Sequence, residues 1–319
     1  MHQQIKKSLF VPYKITGAKR SFFIYQRPDQ SDWLIPTGTC ETKEKQKFCA
    51  WRELTEELGQ NHFRNFFSLN LNQSFATNFN KYIEEAYAFE LGGGITPNEE
   101  IMRYKFVSAT KANQLLKFSF HKESIIKTDR ILEDKIYPKI FVLIGPGGSG
   151  KDTLQKLLIK NSAQVKPIKT IMTRPATRPE DKTTRIHFDI KEFEKLKKRG
   201  EFIETNKMAG NYYASSYSEV IQIIGEGNSG IINLDINGAR KFKQLFSNTI
   251  TIFIYASIPE IRDRLRKRNT DSEEWIEERV KIAEKELAQS HFCDYVINNR
   301  DGRIDESFNE LDQIIKRNI

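Results

Sequence analysis

The run Gly145-Pro146-Gly147-Gly148-Ser149-Gly150-Lys151 constrains this chain more than any other feature. It follows an apolar stretch, residues 139–144, and precedes a helical pattern that starts near Asp152. Glycines let backbone N–H groups wrap a phosphate, the helix N-terminus favours the anion, and the lysine reaches the terminal phosphates. The expected ATP-binding set is Gly145, Gly147, Gly148, Ser149, Gly150, Lys151, Asp152 and Thr153. Ser or Thr normally follows the lysine and binds magnesium through its hydroxyl. Here that place holds Asp152, whose carboxylate is also a good magnesium ligand. Apolar strand-like runs recur at 230–234 and 249–255, with amphipathic helical segments between them. This is the pattern of an α/β domain with a parallel sheet.

At 319 residues the chain has room for a second domain before this one. A charged stretch, 127–135, ends at Pro138 and marks the boundary, giving domains 1–135 and 136–319. Hydrophobic content of 38% and charged content of 29% fit a globular protein, not a disordered or membrane one. No apolar run approaches the roughly 20 residues of a membrane helix, and the polar start shows no signal peptide. Cys40, Cys49 and Cys293 form no CxxC pair and no metal-ligand spacing, so a reducing cytoplasm is expected. The net charge of +9 raises the question of nucleic acid. We read the cations instead as serving nucleotide phosphates and solvated helix faces. Lys195, Lys197, Lys198 and Arg199, for instance, end one helix, where cations suit the dipole.

The first part reads as short strands around one strong helix. Strand patterns occupy 21–25 and 81–91; Gly92-Gly93-Gly94 then breaks the chain, and Pro97 hinders resumption. Residues 44–58 have helical spacing with Gly59 as the stop, and Ser108 caps a helix through Leu116. Glu53, Glu56 and Glu57 stand at i, i+3 and i+4, so they share one helical face. Like charges so close repel one another. A divalent cation would reverse that cost, and oxygen-only ligands point to magnesium or manganese.

Gly38, Glu44, Arg52, Glu53, Leu54, Glu56, Glu57 and Gly59 resemble the Nudix box, with Gln60 departing from its aliphatic last position. Trp33 to Gly38 is similar too, except that Thr37 stands where a second glycine is common. The resemblance covers roughly residues 8 to 130 and implies an α/β/α sandwich with a mixed sheet. It implies Mg2+- or Mn2+-dependent hydrolysis of a nucleoside diphosphate linked to a group X. Glu56 and Glu57 would be the main metal ligands and Glu53 a ligand or base. Arg52 would orient the glutamates, and Glu44 would support the loop. Glu99 and Glu100 are candidates for a further acid. Trp33, Phe66, Phe67 and Phe75 read as core and do not identify X.

Downstream of 139, six ordered blocks resemble guanylate kinase. They are Thr170 to Pro175 with Arg178 and Glu180; Gly200 to Glu204; Gly210 to Ser215; Leu234 to Ala239; Arg264 to Glu274 with Arg279; and Asp294 to Asn299. The resemblance implies a P-loop kinase domain with a parallel sheet, a monophosphate-binding region and a lid. Phosphoryl transfer from ATP needs positioning and charge neutralisation. By resemblance, Arg174, Arg178 and Tyr213 hold the acceptor phosphate. Glu204 accepts hydrogen bonds from guanine, with Thr170, Ser215 and Asp235 assisting. Lys151, Arg264, Arg268 and Arg279 close on the transferring phosphoryl group. Arg178 stands one step beyond the family's second phosphate arginine, where Thr177 lies, and Ile186 or His187 stands where a family tyrosine does. The expected acceptor is GMP or dGMP. Ribose 1,5-bisphosphate is the alternative, because a Gly-Lys-Asp loop also occurs in kinases of that sugar. The chain as a whole reads as a bifunctional nucleotide enzyme, against the rival reading of a binding module built on one inactive fold. Oligomeric state is left open.

Overall fold

The computed structural model describes residues 3–60, 62–77, 79–175, 181–208, 210–267 and 272–319. They divide into two compact units. One is Met1–Tyr137 with the short pieces Ile224–Gly227 and Leu245–Ser247; the other is the remainder. No helix among the described residues is long and apolar enough to cross a membrane.

The first unit is built from β1 (Gln3–Thr16), β2 (Lys19–Gln26), β3 (Thr37–Thr39), α1 (Gln46–Leu58), β4 (Phe63–Ala76), β5 (Asn80–Leu91), β6 (Arg103–Val107), α2 (Ala109–Leu115) and α3 (Ser119–Asp134). The sheet order is β4-β5-β1-β2-β6, with β3 on β1. It is mixed: β1 and β5 run parallel, and the other pairs are antiparallel. Successive side chains of a strand point to opposite faces. On β1, Ser8 bonds the backbone of α1 on one face. On the other face Leu9, Val11 and Tyr13 share a core with Phe120 and Ile125 of α3. Helices therefore cover both faces of a mixed sheet, as expected.

Several expectations shift. The charged stretch 127–135 forms the second half of α3, which ends at Asp134. Its buried positions, Ser124, Ile125, Thr128 and Leu132, recur at helical spacing and leave the charges outside. The helix α1 begins at Gln46, two residues later than read, because Glu44 turns back to accept from the Glu41 N–H. Ser108 caps α2 by accepting from the Lys111 N–H at 3.3 Å.

The second unit contains β7 (Ile140–Ile144), α4 (Lys151–Asn161), β8 (Val165–Pro167), β9 (Thr170–Met172), α5 (Asp181–Thr184), β10 (Arg185–His187), α6 (Ile190–Lys198), β11 (Phe202–Met208), β12 (Asn211–Ser216), α7 (Tyr217–Ile224), β13 (Ser229–Asn233), α8 (Ile236–Leu245), β14 (Thr249–Tyr255), α9 (Ile258–Lys267), α10 (Glu273–Leu287), β15 (Tyr295–Asn298) and α11 (Ile304–Asn318). Five strands form a parallel sheet in the order β15-β14-β7-β13-β8. Phe141, Leu143, Ile252 and Ile254 pack there with Leu154, Leu158, Leu311 and Ile315 from α4 and α11. Strands buried on both faces read as continuous apolar runs, which is why β7 and β14 were visible in the sequence. A second sheet, β10-β9-β12-β11, rests on Phe193 of α6.

Candidate functional site

In the first unit the acidic helix meets the β3 turn. Arg52 organises it: its guanidinium donates to Glu44 (3.0 Å), Glu53 (2.9 Å), Glu56 (2.8 Å) and the Thr39 carbonyl (3.0 Å). Gly38 is needed beside it, because a Cβ there would overlap the Glu53 side chain. Glu56 is exposed, Glu53 half-buried and Glu57 buried. The Glu57 Oε2 atom has no hydrogen-bond partner. Burial, then the charges of Glu53 and Glu100, pushes the Glu57 carboxyl up to about 8. Burial likewise raises Glu53, opposed by Arg52. Of the two candidate downstream acids, Glu100 pairs with Arg27 at 3.3 Å and is felt by Glu57; Glu99 is exposed and shows neither link.

The sequence left the cysteines unconnected, yet Cys40, Glu44 and Cys49 bring their ligand atoms within 4.8 Å of one another. The turn between β3 and α1 folds Cys40 back on the helix, which spacing alone does not reveal. A cavity of about 450 Å³ opens in the same unit, and its wall includes Tyr25, Arg27, Thr37, Glu84 and His121. Phe66 and Phe67 are core, as read, but Phe75 is 41% exposed and lines that cavity. It sits near the far end of β4, where the alternating face leaves the core.

In the second unit the glycine-rich loop links β7 to α4. Lys151 Nζ donates to the carbonyls of Gly145 and Pro146, the latter at 2.9 Å. Gly150 has φ 95°, and a Cβ there would also strike the Asn299 amide. Asn299 is buried and donates to the Ser149 carbonyl at 2.7 Å. Arg264 reaches the same loop: it donates to the carbonyls of Gly148 (3.2 Å) and Asn299 (2.8 Å) and pairs with Asp301 at 2.6 Å. Asp152 accepts from the Asn233 amide at 2.8 Å, and Thr153 beside it is exposed.

The small sheet carries the acceptor residues. Glu204 on β11 and Ser215 on β12 are register partners, and the serine donates to the carboxylate at 2.7 Å. Burial raises the Glu204 carboxyl; the Ser215 bond opposes this and Asp235 adds to it. Asp235 accepts from Asn206 at 2.7 Å and from the Gly238 N–H. Thr170 is buried at the start of β9, and half-buried Tyr213 pairs with Met172 of that strand. Arg174 donates to the Pro175 carbonyl at 3.1 Å. Arg279 lies 4.7 Å from the Trp275 ring. Ile186 packs on the Phe193 cluster, while His187 is exposed. Thr177, Arg178, Glu180 and Arg268 lie outside the described residues.

Glu286 and Asp301 escaped the sequence reading, and Asn299 entered it only as the end of a resembling block. Glu286 on α10 is raised by burial and feels Lys151, Asp235 and Arg279 together. Asn299 holds the phosphate loop through the Ser149 carbonyl, and Asp301 acts on it through Arg264.

Comparison with known proteins gives the same division. The guanylate kinase family model matches residues 137–318, and the NUDIX domain model matches residues 13–128. A guanylate kinase of Cupriavidus pinatubonensis is 34% identical over 187 residues, 57% of this chain and 85% of that protein. One from Polaromonas sp. is 36% identical over 167 residues, 51% of this chain and 81% of that protein. The crystal structure of guanylate kinase from Anaplasma phagocytophilum is 26% identical, with a TM-score of 0.45, over 57% of this chain and 86% of that one.

Proposed function

Because the chain belongs to the guanylate kinase family and also carries a NUDIX domain, uniting a kinase with a hydrolase, we propose that it phosphorylates GMP or dGMP with ATP and hydrolyses a nucleoside diphosphate derivative with magnesium or manganese. The observation that carries the kinase half is the Glu204–Ser215 pair. Guanine offers two neighbouring N–H donors, N1–H and the 2-amino group, to a carboxylate. Adenine offers an acceptor in place of the first. Ser215 fixes one oxygen of Glu204 while the neighbouring strand holds its backbone.

Phosphoryl transfer then rests on charge placement. The loop N–H groups and Lys151 cradle the ATP phosphates. Arg264, held by Asp301 and the loop carbonyls, keeps a cation beside that cradle. Arg174 and Tyr213 serve the acceptor phosphate, and Arg279, with Arg268 and Arg178, completes the positive field. Glu286 lies within the field of Lys151 and Arg279 and offsets part of their charge. Asp152 and Thr153 provide oxygens suited to magnesium.

In the hydrolase half, the orphaned Glu57 oxygen and the crowded Glu53 and Glu56 fit a divalent cation. Glu53, Glu56 and Glu57 would hold such an ion, which would supply charge to neutralise the pyrophosphate and to lower the pKa of a water. Arg52 keeps Glu53 and Glu56 aimed at one point and ties them to the Thr39 carbonyl and Glu44. The three free cysteines suit a reducing cytoplasm.

The test separates the halves. Lys151→Met removes ATP-dependent phosphorylation of GMP and leaves pyrophosphohydrolysis in place; Glu56→Gln does the reverse. A variant that kept its own reaction at the wild-type rate would refute that half of the reading.

A further inference from the structure

The cavity of the first unit contains an arrangement that echoes Glu204 and Ser215. Glu84 on β5 lines it, and the side chain is 3% exposed. Gln73 on β4, its register partner, donates its amide N–H to Glu84 Oε2 at 2.6 Å. Lys7 of β1 is its partner on the other side, also at the cavity wall. Glu84 Oε1 has no hydrogen bond among the described residues. Burying a carboxylate this deeply costs free energy, and one neutral amide does not repay it. Burial accordingly raises its pKa, with Gln73 and Lys7 opposing.

The rest of the wall is suited to a base. Phe75 and Phe118 line the cavity and are 41% and 48% exposed, a surface on which a planar ring can stack. Tyr82 stacks behind Phe75 at 5.0 Å, which holds the ring in place. His121 accepts the Ile35 N–H at Nδ1, so in the neutral ring the proton sits on Nε2 as a donor. Burial keeps that ring neutral by lowering its pKa to about 4. Arg27 and Tyr25, also in the wall, lie near enough to feel the charge of Glu57, one of the carboxylates proposed to hold the metal.

We infer that this cavity selects guanine nucleotides, with the Glu84 carboxylate accepting from guanine N1–H and the 2-amino group. The inference rests on the pyrophosphohydrolase reading above and names its substrate class. Guanine is the base that presents two adjacent donors on one edge. Uracil flanks its single N–H with carbonyls, and adenine and cytosine pair a donor with an acceptor. A neutral His121 donor suits the 6-oxo group. With GTP the step is GTP plus water giving GMP plus pyrophosphate. Water oxygen bonds to phosphorus, the bridging P–O bond breaks, and the proton leaves to the carboxylate base. The GMP formed is the acceptor proposed for the other half of the same chain.

The experiment uses the full chain in a Lys151→Met background, so that kinase turnover does not obscure the products. Monophosphate release is measured with manganese for GTP, ITP, ATP and UTP, and for GDP-, ADP- and UDP-linked hexoses. Expected is a kcat/KM about 10-fold higher for the guanine than for the inosine triphosphate, and about 100-fold higher for guanine than for adenine in whichever series is hydrolysed. Glu84→Ala and the isosteric Glu84→Gln bring the guanine-to-adenine ratio to within a few-fold of one. Circular dichroism and thermal unfolding show both variants folded; if Glu84→Ala does not fold, Glu84→Gln decides. A wild-type preference for another base overturns the inference, as does a Glu84 variant that slows every base equally. If no nucleotide of any series is hydrolysed, the pyrophosphohydrolase reading itself fails and this inference with it.

Discussion

Gly38 and Glu53 share a space that holds the carboxylate only because residue 38 has no side chain: a Cβ on Gly38 would overlap Glu53 Cγ and Cδ. Gly38→Ala must therefore push Glu53 away from Arg52. Displacing a reacting group by about 1 Å costs on the order of 100-fold in rate. Hydrolysis should fall by about that factor, while phosphorylation of GMP by the same preparation stays at the wild-type level. The two reactions, assayed side by side, make the check.

Glu204 gives the second prediction. Truncation to Ala removes the partner of two guanine donors and also leaves Ser215 without its acceptor. Buried donors left unpaired cost about 1–3 kcal/mol. KM for GMP should rise on the order of 100-fold, with KM for ATP within a few-fold of wild type. Steady-state kinetics with each substrate varied in turn distinguishes the two.

Asn299 gives the third. Its amide holds the Ser149 carbonyl at 2.7 Å inside the phosphate loop. Asn299→Ala removes that bond and opens space beside Gly150, so the loop loses its preset shape. A loss of about 1.4 kcal/mol corresponds to a tenfold weaker ATP affinity. Nucleotide titration of the variant should show a change of that order, and Glu56-dependent hydrolysis should be unaffected.

His121 sets a pH dependence. Its folded pKa of about 4 lies below the ordinary histidine value, chiefly because the ring is buried. A depressed value means that stability is fully present above roughly pH 6.5 and is lost as the pH falls toward 4. The unfolded chain gains a proton that the folded ring refuses. The difference of about 2.5 pKa units corresponds to about 3 kcal/mol at most. His121→Asn keeps an acceptor for the Ile35 N–H and removes the titration. Between pH 7 and 4.5 its thermal midpoint should fall less than that of the wild type.

What the sequence disclosed follows a physical rule. The loop at 145–151 and the glutamates at 53, 56 and 57 are local, so helical period and a fixed gap place them without any distant contact. The strands β7 and β14 announced themselves by continuous apolar runs. Long-range partners left no such trace. Gln73 meets Glu84 only because β4 turns back on β5. Cys40 approaches Cys49 only through the turn before α1. The charges of 127–135 masked the buried stripe of α3, where Ser124 and Thr128 bond back to helix carbonyls and hide in the core. Polar residues that satisfy themselves locally look like surface in a sequence.

The hydrogen bond from Asn299 to Ser149 spans 150 residues of chain. During synthesis the glycine-rich loop leaves the ribosome long before its clamp is made. A nascent kinase half therefore has its nucleotide cradle in sequence but not in shape. Only after Asn299 has been translated can that bond form, so the loop gains its clamp about 150 residues of synthesis after its own sequence is complete.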